Sequence, residues 1–219
     1  MNKTEKEVRY INTPVEIRAN EGENESRTIT GYAVVFEQES VDMGFVEIIR
    51  SGAITEELIN QSDVCALWNH NSNWLLARSI NGEGTLKLEI DEHGLKYTFE
   101  APNTTIGNDV LELIKRGDIK GSSFAFTVSP EQGSEEWIDR GDGKYVRYIN
   151  RISGLYDVSP VVTPAYEGTS VSARSMESLE NFKKELQEQR DKDAEQAEQE
   201  RVEALNKKYK TMLDEIDLM

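Results

Sequence analysis

Cysteine is almost missing from this sequence: Cys65 stands alone, so no disulfide can form within the chain and a reducing compartment is the expectation. Histidine is nearly as scarce, and one Cys with two His argues against a structural zinc site. No cofactor is expected. Long apolar runs are also lacking, so no membrane span is expected, and Met1 to Glu5 are too polar for a signal peptide. The expected location is the cytoplasm where the chain is made. Positive charge is short as well: 25 Lys and Arg against 41 Asp and Glu leave a formal net charge of -16. Nucleic acid is excluded as a partner on that ground, because phosphate binding wants clustered cations; basic partners fit better.

What is present is enough for one domain and an appendage, since 219 residues can bury a core without covalent staples. Strand character runs from Val8 to about Thr30, interrupted by a turn at Asn20 to Ser26 with Gly22 and Asn24, and resumes in Gly31 to Phe36 and Phe45 to Arg50. Ala53 to Asn60 has a short helical pattern, with Ile54, Leu58 and Ile59 inward. Asp63 to Trp68 is an apolar run of strand length that delivers His70 at its end. Thr85 to Ile90 and Leu95 to Glu100 form a hairpin about Asp91 to Gly94. Thr104 or Thr105 can cap a helix to about Arg116, closed by Gly117. A second hairpin turns on Gly141, Asp142 and Gly143, and Ile149 to Val162 follows. Pro160 and Pro164 close the folded part, because proline cannot pair within a central strand. Cys65 reads as a small buried hydrophobe.

From Ser175 to Met219 there is neither glycine nor proline, and Glu, Lys, Gln and Arg dominate, which predicts one long exposed helix. Leu179, Phe182 and Leu186 precede a polar stretch. Beyond Val202 the apolar positions Leu205, Tyr209, Met212, Ile216 and Met219 have coiled-coil spacing.

The stretch Gly121 to Phe126 places two hydroxyls, Ser122 and Ser123, at the mouth of a strand. Such serines serve as turn residues, or as a nucleophile if a base is brought to them from elsewhere. His70 lies between Asn69 and Asn71, which suggests a polar site, whereas His93 sits at a solvated hairpin tip. Asp157 is a carboxylate inside an apolar run and needs a partner: an arginine such as Arg78 or Arg151, or a histidine whose tautomer it would hold. Spacing along the chain does not decide between these.

Taken in order, several phrases resemble the prohead maturation proteases of tailed bacteriophages: Gly31 to Phe36; Asn69, His70 with Leu75, Leu76, Ala77, Arg78; Gly84, Thr85, Leu86; Asp91 with Gly94, Leu95; Arg116, Gly117, Asp118; Gly121 to Phe126; and Val158, Ser159, Pro160, Val161 with Pro164, Ala165, Tyr166. The resemblance spans roughly Val15 to Arg174. It implies an α+β chain built on a closed β-barrel of the herpesvirus-protease (assemblin) type, with a long helix after it. It also implies an endopeptidase that is packaged in the immature shell, cuts scaffold segments from the major capsid protein and digests itself. His70 matches the family's base and Ser123 its nucleophile, with Ser122 the position open to confusion. The third member is expected at Asp157, where Glu is usual, and Ala125 stands where Gly is more usual, narrowing backbone freedom beside the nucleophile. Arg78 is a candidate site-supporting cation, with a surface ion pair as its other reading.

The resulting division is a protease domain at 1–174 and an acidic helical arm at 175–219, outside the resemblance, whose expected role is to bind a scaffold helix, a capsid protein or a second copy, with a solvated, partly disordered tail as its other reading. Two other classes compete: a catalytically inactive scaffold or capsid-binding protein, and a hydrolase using an acid pair such as Glu47 and Asp157.

Overall fold

The computed structural model describes residues 5–18, 26–141, 143–162 and 173–217, and the chain divides into two compact units, Met1–Ser172 and Ala173–Met219. Residues 20–25 of the expected first turn, Asp142, Pro164 and Met219 lie outside the described residues. In chain order the first unit runs β1 (Glu7–Ile11), β2 (Glu16–Ile17), β3 (Thr28–Val35), β4 (Val46–Ile49), α1 (Glu56–Gln61), β5 (Asp63–Trp68), β6 (Asn71–Ile80), β7 (Glu83–Gly84), β8 (Leu86–Ile90) and β9 (Gly94–Glu100). It continues with α2 (Thr105–Arg116), β10 (Gly121–Val128), β11 (Glu135–Asp139), β12 (Tyr145–Ile149) and β13 (Ile152–Val161). The second unit is α3 (Ala173–Asp217), the long helix expected from a segment without glycine or proline.

The strands form three open sheets, and this corrects the closed barrel expected from the family resemblance. One sheet has six strands in the order β1-β10-β13-β5-β6-β7, another has β11-β12-β4, and the last has β2-β3-β9-β8. Closing a barrel needs an unbroken hydrogen-bond ladder with matched tilt and stagger. Here β2 and β7, which end two of the sheets, are two residues long, too short to carry a ladder onward. No closed barrel is found among the described residues.

Local chemistry explains the elements. Thr104 accepts a hydrogen bond from the Gly107 amide and so caps α2, while Gly117 ends it at φ 78, a left-handed conformation that suits glycine. The β8–β9 hairpin pairs Leu86 with Phe99 and Ile90 with Leu95, and Leu86, Leu95, Tyr97 and Phe99 are buried. At the end of β9's hairpin, a Cβ on Gly94 would stand 1.9 Å from the Val34 carbonyl oxygen, so the close approach of β3 requires glycine there. Every residue of β10 is buried, because Phe124, Phe126 and Val128 join the main core with Ala33, Val64, Ala66, Val110 and Ile114 on one face. Its other face carries the site.

Pro160 falls one residue before the end of the last strand, β13, yet it is paired there with Ser122 of β10, against the expectation that proline does not pair within a central strand. The reason is that β5 pairs with β13 only at Cys65↔Asp157 and Ala66↔Val158. At Pro160 the strand is locally an edge, where a missing N–H costs nothing, and its carbonyl accepts from the Asn69 amide at 3.3 Å. Cys65 is half-buried on β5, not enclosed as a core residue would be.

Candidate active site

Period-two alternation along β10 separates the two serines. Ser122 turns inward, where its hydroxyl meets the buried Tyr97 hydroxyl at 2.8 Å. Burial pushes the Tyr97 hydroxyl well above the usual phenol range, with Ser122's hydrogen bond opposing it in part. Ser123 turns to the opposite face, directly across from Tyr10 of β1 and Ser159 of β13.

His70 reaches that face from a two-residue turn. Asn69 (φ 49) and His70 (φ 57) both take the left-handed conformation, the pair of angles that a tight hairpin between β5 and β6 requires. Asparagine adopts it readily; histidine does so at a cost, and such outliers gather where the surroundings impose them. Here Asn69 imposes it, donating its amide to the Pro160 carbonyl and accepting from the Val162 amide at 3.2 Å. The turn is thereby tied to the strand that carries Asp157.

The histidine ring bridges the other two candidates. Its Nδ1 stands 2.5 Å from Asp157 Oδ1 and its Nε2 2.5 Å from Ser123 Oγ. Asp157 is thus paired with a histidine, while Arg151 pairs with Glu131 and Arg78 with Asp63. The shorter acid does reach the ring. Asp157 Oδ1 also accepts from the Ser159 hydroxyl at 2.9 Å, and Lys6 Nζ stands 3.8 Å from Oδ2 while lying over the Tyr156 ring. Ser123 donates to the Arg9 carbonyl at 2.8 Å, so its single proton has two acceptors within reach. With the histidine side chain about a quarter exposed and Ser123 buried at 3%, the ring is the open side of the group.

Other expected site residues are not brought here. Arg78 on β6 holds Asp63 in a forked, exposed ion pair through Nε and Nη2. Glu47 is engaged by Arg9 and Arg147 in a separate buried cluster, so it does not act as half of an acid pair with Asp157. His93 packs edge-on against Tyr32 at its exposed hairpin tip. Ser159, Arg9 and Lys6 were not singled out by the sequence. Only Ser159 left a signal there, since residues two apart on a strand share a face and put it beside Asp157. A cleft of about 1110 Å³ lined by Leu75, Arg78, Lys87 and Phe99 includes none of the three central residues; hydrogen-bond geometry, not cavity size, marks the site. No metal-holding group of three or more His, Cys, Asp or Glu is present among the described residues.

A serine hydroxyl, an imidazole and a buried carboxylate joined in series have the arrangement of the Ser–His–acid constellation, which is recognised by geometry and not by chain order. The family described as caudovirus prohead serine protease matches residues 13–185, and the chain belongs to that family. Among solved structures it is similar to the capsid assembly protease gp21 of bacteriophage T4, at 12% sequence identity and a TM-score of 0.46, covering 73% of this chain and 99% of that one. No curated protein matches the sequence.

Proposed function

We propose that the chain is a serine endopeptidase of capsid maturation, with Ser123 as nucleophile, His70 as general base and Asp157 as the group that orients it. The single observation that supports this most is the imidazole standing 2.5 Å from both its neighbours, one through each ring nitrogen. With Nδ1–H donated to Asp157, Nε2 is left as an acceptor facing the hydroxyl. Nε2 takes the Ser123 proton as Oγ attacks the peptide carbonyl carbon, and the hydroxyl gives up its bond to the Arg9 carbonyl. The imidazolium so formed is stabilised by the Asp157 carboxylate. It then passes its Nε2 proton to the departing amine as the C–N bond breaks. Water attacks the acyl-enzyme with His70 again accepting a proton, and Ser123 is regenerated.

The substrates that fit the family are scaffold segments of the major capsid protein and the protease itself, cut within the assembling prohead in the host. Residues 1–174 serve as the protease domain and 175–219 as an acidic arm. Val202, Leu205 and Tyr209 are exposed on α3, which suits pairing with a helix of the scaffold, of a capsid protein or of a second copy. The remaining positions of that seam, Met212, Ile216 and Met219, fall beyond the side chains described.

Coexpression with the cognate capsid protein tests the assignment. Ser123→Ala is expected to stop both scaffold cutting and self-cleavage, while Ser122→Ala retains them; cutting that persists in both variants excludes the mechanism. A scaffold or capsid-binding protein without activity would show no cutting even in the wild type. Deleting 175–219 and counting packaged protease tests the arm, and unchanged packaging removes that part of the proposal.

A further inference from the structure

Ser159 is fully buried on β13, two residues from Asp157 and directly opposite Ser123 in the strand register. Its hydroxyl donates to Asp157 Oδ1 at 2.9 Å, the same oxygen that faces His70 Nδ1, and stands 3.4 Å from that nitrogen. A hydroxyl in a core slot would be expected to bond a backbone carbonyl or to be replaced by an apolar group. This one is placed between the two groups whose alignment the chemistry needs.

From this we infer that Ser159 is a positioning residue, which fixes the rotamer of the Asp157 carboxylate and so holds the His70 ring in line with Ser123. The inference rests on the hydrolase reading above. An aspartate has one methylene fewer than a glutamate, so its carboxylate pivots close to the strand and its reach depends on χ1 and χ2. The bond from Ser159 removes that freedom at Oδ1. The contact at Oδ2 is looser, because Lys6 is 3.8 Å away and its side chain is half exposed. Ser159 therefore sets the direction of the Oδ1 lone pair that accepts Nδ1–H. On formation of the imidazolium the Ser159 oxygen is also near enough to share the Nδ1 proton as a second acceptor, since a hydroxyl both donates and accepts.

The test uses the full-length protein and a fluorophosphonate probe that labels reactive serines. Ser159→Ala is expected to slow labelling of Ser123 about tenfold, the rate equivalent of one hydrogen bond to a charged group. In an Asp157→Asn background the same substitution is expected to change the rate less than about twofold, because a residue acting through the carboxylate has nothing left to position. Equal slowing in both backgrounds, or none in either, overturns the inference. A second readout does not need activity: the downfield proton resonance of His70 Nδ1–H is expected to shift in Ser159→Ala, and a resonance that stays in place overturns the assignment. If wild-type protein takes up no probe while that resonance shifts, the hydrolase reading fails and the positioning contact stands.

Discussion

Two polar clusters lie within a few residues of each other, and they are built on opposite plans. Around Arg147, the guanidinium bonds Glu7, Glu47 and Glu135, and Arg9 bonds Glu7 and Glu47, all with Arg147 at 0% exposure. Burial works against the charge of both arginines, but hydrogen bonds and charges from the glutamates more than offset it and hold both guanidiniums protonated above their ordinary range. Each donor has an acceptor, and nothing is poised to move. In the second cluster a proton has two acceptors, and one of them, His70 Nε2, sits on a partly exposed side chain. Chemistry needs a group whose partner can be exchanged; stability needs groups whose partners cannot. Arg9 belongs to both clusters, with its side chain in the ionic one and its carbonyl on Ser123.

The sharpest break in that comparison is chemical. Ser123→Ala is expected to abolish fluorophosphonate labelling and to lower proteolysis at least about a thousandfold with little change in stability. Next comes Arg147→Met, which leaves buried carboxylates without their cation and is expected to destabilise by about 3–5 kcal/mol, read by urea denaturation. Labelling of the folded fraction is expected to survive. Loss of labelling in parallel with stability would show that β1 transmits the ionic cluster to Ser123 through the Arg9 carbonyl, and the division drawn between the two clusters would then fail.

How much of this was legible in the sequence follows from the range of the interactions. Periodicity found the β8–β9 hairpin, the α2 cap at Thr104 and the long helix, because each depends on neighbours along the chain. The family phrases carried Ser123, His70 and Asp157, and their order could not say that the three meet. Meeting depends on β13 lying between β10 and β5, a pairing between residues far apart in sequence. The ionic cluster left no trace, since Glu7, Arg9, Glu47 and Arg147 look like surface charges until β1 of one sheet and β4 and β12 of another bring them together. Sheet closure was likewise illegible: whether short strands such as β2 and β7 extend a ladder is settled by what lies beside them. Pro160 misled for the same reason, because its chemistry forbids a central strand only where both neighbours pair.

A smaller effect sharpens the division of labour between the two serines. Tyr97→Phe leaves the Ser122 hydroxyl without its partner at 0% exposure and is expected to cost about 1–3 kcal/mol without altering the labelling rate. The pH dependence has a definite sign. The folded protein keeps the Tyr97 proton to higher pH than the unfolded chain does, so this contribution is complete below the unfolded value of about 10 and is lost as pH rises through it toward the folded one. Thermal melts above that pH should fall more steeply for wild type than for Tyr97→Phe; equal slopes would mean that Tyr97 ionises as readily folded as unfolded.

Arg78 offers the least effect and the plainest contrast with Arg147. Both guanidiniums hold carboxylates with forked geometry, but Arg78 and Asp63 are each about half exposed as side chains, whereas Arg147 is enclosed. Water competes for the exposed pair, salt screens it, and two long side chains lose freedom to make it. Arg78→Ala is therefore expected to leave both the melting midpoint and Ser123 labelling where they are in wild type, at low and at high salt. A clear fall in labelling with unchanged melting would give Arg78 a supporting role at the site after all, reached through its strand partner Cys65, whose own neighbour in the sheet is Asp157.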